Sequence, residues 1–176
     1  MGSLSRQDIL RAFEALSDEL ARSGDRVELA LGGGAAMVLL FGARETTKDV
    51  DAVSVGVTNA PRFDAACSHV AEALSLPPDW LNDGFKGFLH GLALGPPIFE
   101  APSLIVRALL PRQLLALKLS AWRDDLDIED ARLLLTCLSD DRETVWEMIE
   151  PHLVHGREMK ARYAFDDLWE SALGSR

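Results

Sequence analysis

One stretch limits what this chain can fold into more than any other: residues 29–55, LALGGGAAMVLLFGARETTKDVDAVSV. An alternating apolar run (Val27, Leu29, Leu31) predicts a half-buried strand over Arg26–Leu31, which Gly32, Gly33 and Gly34 then break. Ala35, Ala36, Val38, Leu39 and Leu40 follow as a helical run, and Gly42 closes that helix near Phe41. A polar loop leads to a second strand, Asp49–Val55, on which Asp51, Val53 and Val55 share a face. Side chains two apart on a strand project the same way, so Asp49 and Asp51 point together beside a glycine turn. Two carboxylates that close raise each other's pKa unless a cation lies between them. A divalent metal that also holds a phosphate meets that need. The plainer alternative is a pair of acids on a solvated strand end.

A strand that becomes a helix through glycine lets backbone N–H donors and the helix dipole approach an anion. No Gly-Lys-Ser/Thr follows, so this is not a P-loop, and GGGAAM lacks the G-x-G-x-x-G spacing of a dinucleotide site. A tight turn with no ligand is the other reading.

The glycines, and beyond the helix Arg44, Thr46, Thr47 and D-V-D, together resemble the first motif of the DNA polymerase beta-like nucleotidyltransferase superfamily. The likeness is to its minimal bacterial members, which include toxins of abortive-infection toxin–antitoxin systems and read G-G-T/S-A followed by R-x-T/S-x-D-x-D. A second stretch, LLALKLSAWRDDLDIEDARLLL at Leu114–Leu135, is similar to that family's helical motif through Lys118, Arg123, Asp127 and Asp130. The segment WLNDGFKGFL at Trp80 is similar to uncharacterised members. The resemblance covers residues 29–135. It implies a nucleotidyltransferase-like fold and two Mg²⁺-holding acids, Asp49 and Asp51. It also implies a triphosphate cradle at Gly32–Gly34 with Arg44 and Thr47 beside it, and a Lys118 that neutralises charge as pyrophosphate leaves. Arg123, Asp127 and Asp130 would support that site.

The chain departs from the pattern at two positions. Gly34 stands where the family usually has a Ser or Thr hydroxyl. The strand expected to carry a third carboxylate, LIVRALL at Leu104–Leu110, offers Arg107 instead, which leaves Glu100, just upstream, as the nearest acid to complete a metal site.

Charge narrows the partners. Eighteen Lys and Arg stand against twenty-eight Asp and Glu, a net charge of −10. With no basic run, this composition argues against a long nucleic acid as a tightly held partner. A local pocket for a nucleotide or an RNA end remains compatible with it. Cys67 and Cys137 have neither metal nor disulfide spacing and read as buried thiols in a reducing compartment. No apolar run is long enough to span a membrane and the first residues have no signal-peptide core, so a soluble, cytoplasmic protein is expected.

Along the chain, Ser5–Ser23 reads as a helix capped by Ser5 with Asp8, its buried stripe Ile9, Phe13, Leu16 and Leu20, ended by Gly24. Asn59 and Pro61 open a helix to Leu74 with a stripe of Phe63, Cys67, Val70 and Leu74. Trp80–Gly87 reads as irregular, and Phe88–Leu94 and Leu104–Leu110 as strands separated by the turn-rich GPPIFEAPS. From Pro111 onward the pattern is helical: to Trp122, from Asp127 to Leu138, from an Asp140–Glu143 capping box to Ile149, and from Arg157 to Leu173. Lys118 has apolar neighbours at helical spacing, Leu114, Leu115, Ala121 and Trp122. Such a lysine is paired with a phosphate or with Asp49/Asp51, or else snorkels past Trp122 to water. Asp127 is expected to cap a helix and Asp130 to pair with Arg123 or Lys118. His152 and His155 read as a solvated helix end, and His90 and His69 have no recognisable partner.

These readings converge on an α/β fold: a small mixed sheet flanked by helices over residues 1–110, with a C-terminal helical bundle over 111–176 packed on it. The expected function is Mg²⁺-dependent transfer of a nucleotide from a nucleoside triphosphate to an RNA or protein acceptor, as in a toxin–antitoxin component. The alternative is a nucleotide-binding or protein-interaction domain on the same fold that has lost turnover.

Overall fold

The computed structural model describes residues 3–56, 59–138 and 141–173. It is a mixed α/β protein whose chain divides into two compact units, 1–86 with 94–109, and 87–93 with 110–176. The sheet lies in the first unit. The segment Gly87–Ala93, which the sequence places with the sheet, belongs to the helical unit instead.

In the first unit, strand β1 (Leu4–Ser5) leads into helix α1 (Arg6–Ser23). The Ser5 side chain accepts from the Asp8 amide while the Asp8 carboxylate accepts from Ser5 N at 2.9 Å, a reciprocal cap, and Gly24 ends the helix with a left-handed φ of 73°. Ile9, Phe13, Leu16 and Leu20 are fully buried, as their spacing predicts. Strand β2 (Val27–Leu31) runs into α2 (Gly33–Ala36), which continues as a π-helical turn over Met37–Phe41 and stops at Gly42. Strand β3 (Thr46–Thr47) pairs with β1, and β4 (Val50–Val55) follows. Helix α3 (Ala60–Leu74) buries Ala66, Val70 and Ala71; the expected Phe63, Cys67 and Leu74 are only partly covered. Strands β5 (Leu81–Asn82), β6 (Leu94–Ala101) and β7 (Leu104–Leu109) complete a five-stranded sheet of order β5-β4-β2-β7-β6.

The pairing is parallel for β4–β5 and β2–β7 and antiparallel for β2–β4 and β6–β7. Val27, Leu29 and Leu31 with Leu104, Val106 and Ala108 form a buried face, and α1 packs on that side, with the Phe13 ring 5.5 Å from that of Phe99. The other face carries Glu28, Asp51 and Arg107, each partly exposed.

Two strand expectations change. Phe88–Leu94 is not a strand; the strand is Leu94–Ala101, through Pro96 and Pro97. Both prolines lie on the edge strand, where alternate N–H groups face away from the sheet, and the register slips on either side of Pro97, where the ladder is already interrupted. Within the stretch read as irregular, Leu81 and Asn82 add a short parallel strand to β4.

In the second unit, helix α4 (Pro111–Ala121) packs against α5 (Asp125–Thr136), α6 (Arg142–Ile149) and α7 (Glu158–Leu173). Pro111 occupies the first turn of α4, where its missing N–H costs nothing. Arg157 and Lys160 donate to the Ser120 and Ala121 carbonyls, satisfying the C-terminal end of α4. The cap of α6 is Asp141; the expected Asp140 lies outside the described residues. Helix α5 is capped by Asp124, not Asp127, and so begins at Asp125. No helix among the described residues is long and apolar enough to cross a membrane.

Candidate functional site

The first cluster forms where β2 turns into α2 beside the start of β4. The Gly32 amide donates to the Asp51 carbonyl at 2.9 Å, clamping the glycine turn to β4. That N–H is therefore engaged within the fold, and the cradle expected of Gly32–Gly34 reduces to Gly33 and Gly34. A Cβ on Gly33 would overlap the Asp51 carboxylate, and the Gly33 φ of +56° is a conformation other residues adopt only with strain. A Cβ on Gly34 would overlap the Thr47 hydroxyl, with Arg44 Nη1 3.8 Å away. The repeated glycine thus has a local cause: a carboxylate and a hydroxyl press directly on the backbone. The hydroxyl absent from position 34 has a counterpart in Thr47 Oγ1, which stands in the space that a serine or threonine there would use.

Asp51 pairs in register with Asn82 of β5, so the two side chains leave the same face of the sheet. Asn82 Nδ2 donates to Asp49 Oδ2 at 3.2 Å, which brings Asp49 to that face as well. Asn82 Oδ1 accepts from the Gly84 amide at 2.9 Å, an Asx turn. The turn is anchored by Trp80, which is fully buried: its Nε1 donates to the Cys67 carbonyl at 3.1 Å, and its carbonyl accepts from Val50 N at 2.7 Å. Asp49, Asp51, Asn82, Gly33, Gly34, Thr47 and Arg44 thus converge, and Asp49 and Asp51 face one way, as their spacing predicts. Sequence reasoning missed Asn82, although N-D-G is a turn signal that could have marked it.

Glu100 is not part of this cluster. It sits level with Ile105, Glu28 and Val55 across four strands, at the far end of the sheet from Asp51. At ~3.3 Å per residue and ~4.8 Å per strand, its Cα is on the order of 20 Å away. Glu100 lines an open groove with Arg26 and Ser103. Arg107, where the resemblance places an acid, gives its Nε to Glu28 Oε1 at 2.6 Å and its Nη1 to the Gly95 carbonyl at 3.3 Å. Among the described residues, no group of three or more His, Cys, Asp or Glu is arranged to hold a metal ion, so Asp49 and Asp51 stand as a pair. Mg²⁺ is commonly held by one or two carboxylates plus phosphate oxygens and waters, and two hard oxygen donors on one face fit that requirement.

The second cluster is in the helical unit. Lys118 Nζ lies 2.9 Å from Asp127 Oδ1 and 2.7 Å from Asp130 Oδ2, with its own side chain 14% exposed and both aspartates 3%. Asp127 Oδ2 also accepts from Arg123 N at 3.2 Å and Nε at 3.1 Å. Asp130 therefore pairs with Lys118, as expected; Asp127 and Asp130 are the partners of Lys118 in place of the Asp49/Asp51 pair or phosphate expected for it, and it does not snorkel to water. Burial by itself would raise the Asp127 pKa, but hydrogen bonds from Arg123 and Lys118, with the Lys118 charge, outweigh it and hold the carboxyl below its ordinary range.

The remaining candidates fall elsewhere. His152 Nδ1 meets the His90 carbonyl at 3.2 Å and the His90 and His155 rings meet edge-on at 4.1 Å, so His90 does have partners. Cys67 is half-buried and its thiol is pushed up to about 12 by burial, with Asp64 adding to the shift. Cys137, expected to be buried, is exposed at the end of α5.

Comparison with protein-family models, curated proteins and solved structures gives no significant match.

Proposed function

We propose that the first unit binds a Mg²⁺–nucleoside triphosphate on the sheet face bearing Asp49 and Asp51, and transfers its nucleotidyl group to an RNA or protein acceptor. The reading rests on one observation above all: two carboxylates, a hydroxyl and a guanidinium from the single stretch Arg44–Asp51 meet the glycine turn after β2, where a Cβ at Gly33 or Gly34 would overlap them, with Asn82 of β5 completing the cluster. Asp49 and Asp51 would hold Mg²⁺, which supplies positive charge against the phosphate oxygens. Arg44 presents a fork suited to phosphate, and the Thr47 hydroxyl and the Gly33 and Gly34 amides are the neutral donors. Asn82 keeps Asp49 oriented. Lys118, satisfied by two carboxylates, is assigned a structural part. A toxin–antitoxin role belongs to this reading through the resemblance alone.

The position of Glu100 favours a second reading, nucleotide binding without turnover. Activating an acceptor hydroxyl calls for a base or a second metal beside the first, and the acid nominated for that task lies at the other end of the sheet. Titration calorimetry with Mg²⁺ and a non-hydrolysable triphosphate tests the binding common to both. Asp51→Asn should weaken it at least about tenfold, or about 1.4 kcal/mol, and Glu100→Gln should leave it unchanged. Transfer of an α-labelled nucleotide to RNA or protein then separates the two readings. Absence of any Mg²⁺-dependent binding would overturn both.

A further inference from the structure

The segment after Asn82 covers the glycine turn. A Cβ on Gly32 would meet three atoms of the Phe85 ring, Cζ at 3.0 Å, Cε1 at 3.2 Å and Cε2 at 3.3 Å. The tip of the ring therefore fills the place where a side chain of residue 32 would stand. The neighbouring Gly84 lies against the same cluster, with Asp51 Oδ1 3.7 Å from the Cβ position at residue 84. Gly32 is buried, whereas Phe85 is only partly so, and the residues flanking Phe85 on both sides are exposed. An aromatic ring that stands over the first glycine of a polar cluster while its own loop remains at the surface is placed to cover that edge of the cluster. It contributes little as a core residue.

We infer that Phe85 is a gate: its ring stands over Gly32, directly beside the Gly33 and Gly34 amides, and swings out as a phosphate group comes to them. The Asx turn at Asn82–Gly84 is the fixed side of this gate, because Trp80 ties it to β4 and α3. The moving side is Phe85 itself, between the exposed Gly84 and Lys86. Asn82 also holds Asp49, so swinging the ring out beyond Gly84 need not disturb the carboxylate pair. The gate rests on the proposed Mg²⁺–nucleotide reading, which supplies what it admits.

The test uses the full chain with Phe85→Ala, and with Phe85→Leu as a variant that keeps an apolar plug. Hydrogen exchange read by mass spectrometry should rise over residues 32–36 in Phe85→Ala and stay unchanged over α1, which also reports that the variant is folded. Apparent affinity for Mg²⁺ with a fluorescent-ribose nucleoside triphosphate should tighten by the reciprocal of the open fraction, about tenfold for a gate open one-tenth of the time. Phe85→Leu should fall between. Unchanged exchange at 32–36 would show that the ring does not cover the turn and would end the proposal. Wild-type binding that Phe85→Ala leaves equal or weaker would overturn the gate and spare the nucleotide reading. Failure of both proteins to bind would overturn the nucleotide reading and the gate with it.

Discussion

Replacing Lys118 with methionine should destabilise the helical unit by about 3–5 kcal/mol. The side chain would stay unbranched and nearly as long but lose its charge, while Asp127 and Asp130, each 3% exposed, would lose the ammonium 2.9 and 2.7 Å away. An exposed ion pair would cost only about 0–1 kcal/mol; the larger figure applies because water cannot replace the lost cation. For a chain of this size that corresponds to a fall in Tm of roughly 6–20 °C. Thermal and urea denaturation followed by helical circular dichroism would measure it, with exchange in α4 and α5 assigning the loss to that unit. The triple variant Lys118→Met, Asp127→Leu, Asp130→Leu should recover much of the stability, since replacing a whole buried ionic group with apolar side chains is often neutral. The sign with pH follows from Asp127. Its folded pKa lies below the unfolded value of about 3.9, so its contribution is complete above that value and is lost as pH falls through the lowered folded one. Lys118→Met should flatten this acid limb. A loss under about 1 kcal/mol with an unchanged acid limb would show the cluster to be solvent-screened and refute the reasoning.

Two further outcomes follow from the geometry. Gly33→Ala adds a left-handed residue, costing about 1–2 kcal/mol, and pushes the Asp51 carboxylate aside; calorimetry should show Mg²⁺-dependent nucleotide binding weakened more than urea denaturation shows stability lowered, and equal effects would place the requirement in the fold alone. Brief iodoacetamide treatment at neutral pH, read by peptide mass spectrometry, should label the exposed Cys137 and spare Cys67, whose thiol ionises only near 12; labelling of Cys67 first would contradict its burial.

How much was legible in the sequence depended on how local the cause was. The caps of α1, the stripe Ile9–Phe13–Leu16–Leu20, the strand–glycine–helix unit and the shared face of Asp49 and Asp51 follow from side-chain periodicity and from hydrogen bonds within a few residues, so reading the chain alone determined them. The tertiary structure decided whatever required one segment to meet another. Pro96 and Pro97 argue for a loop until the sheet order puts them on an irregular stretch of an edge strand, where missing N–H groups are tolerated. Asn82 and Phe85 join the glycine turn only because β5 pairs with β4 and Trp80 is buried. Glu100 is near in sequence to the strand that should carry an acid, yet the β6–β7 hairpin turns it to the far end of the sheet. The apolar neighbours of Lys118 put its stem on a covered helix face, which is a local pattern, but left a paired head and a snorkelling one both open. The Asp130–Lys118 pair was one of the expected alternatives; that Asp127 joins it depended on α4 and α5 packing side by side.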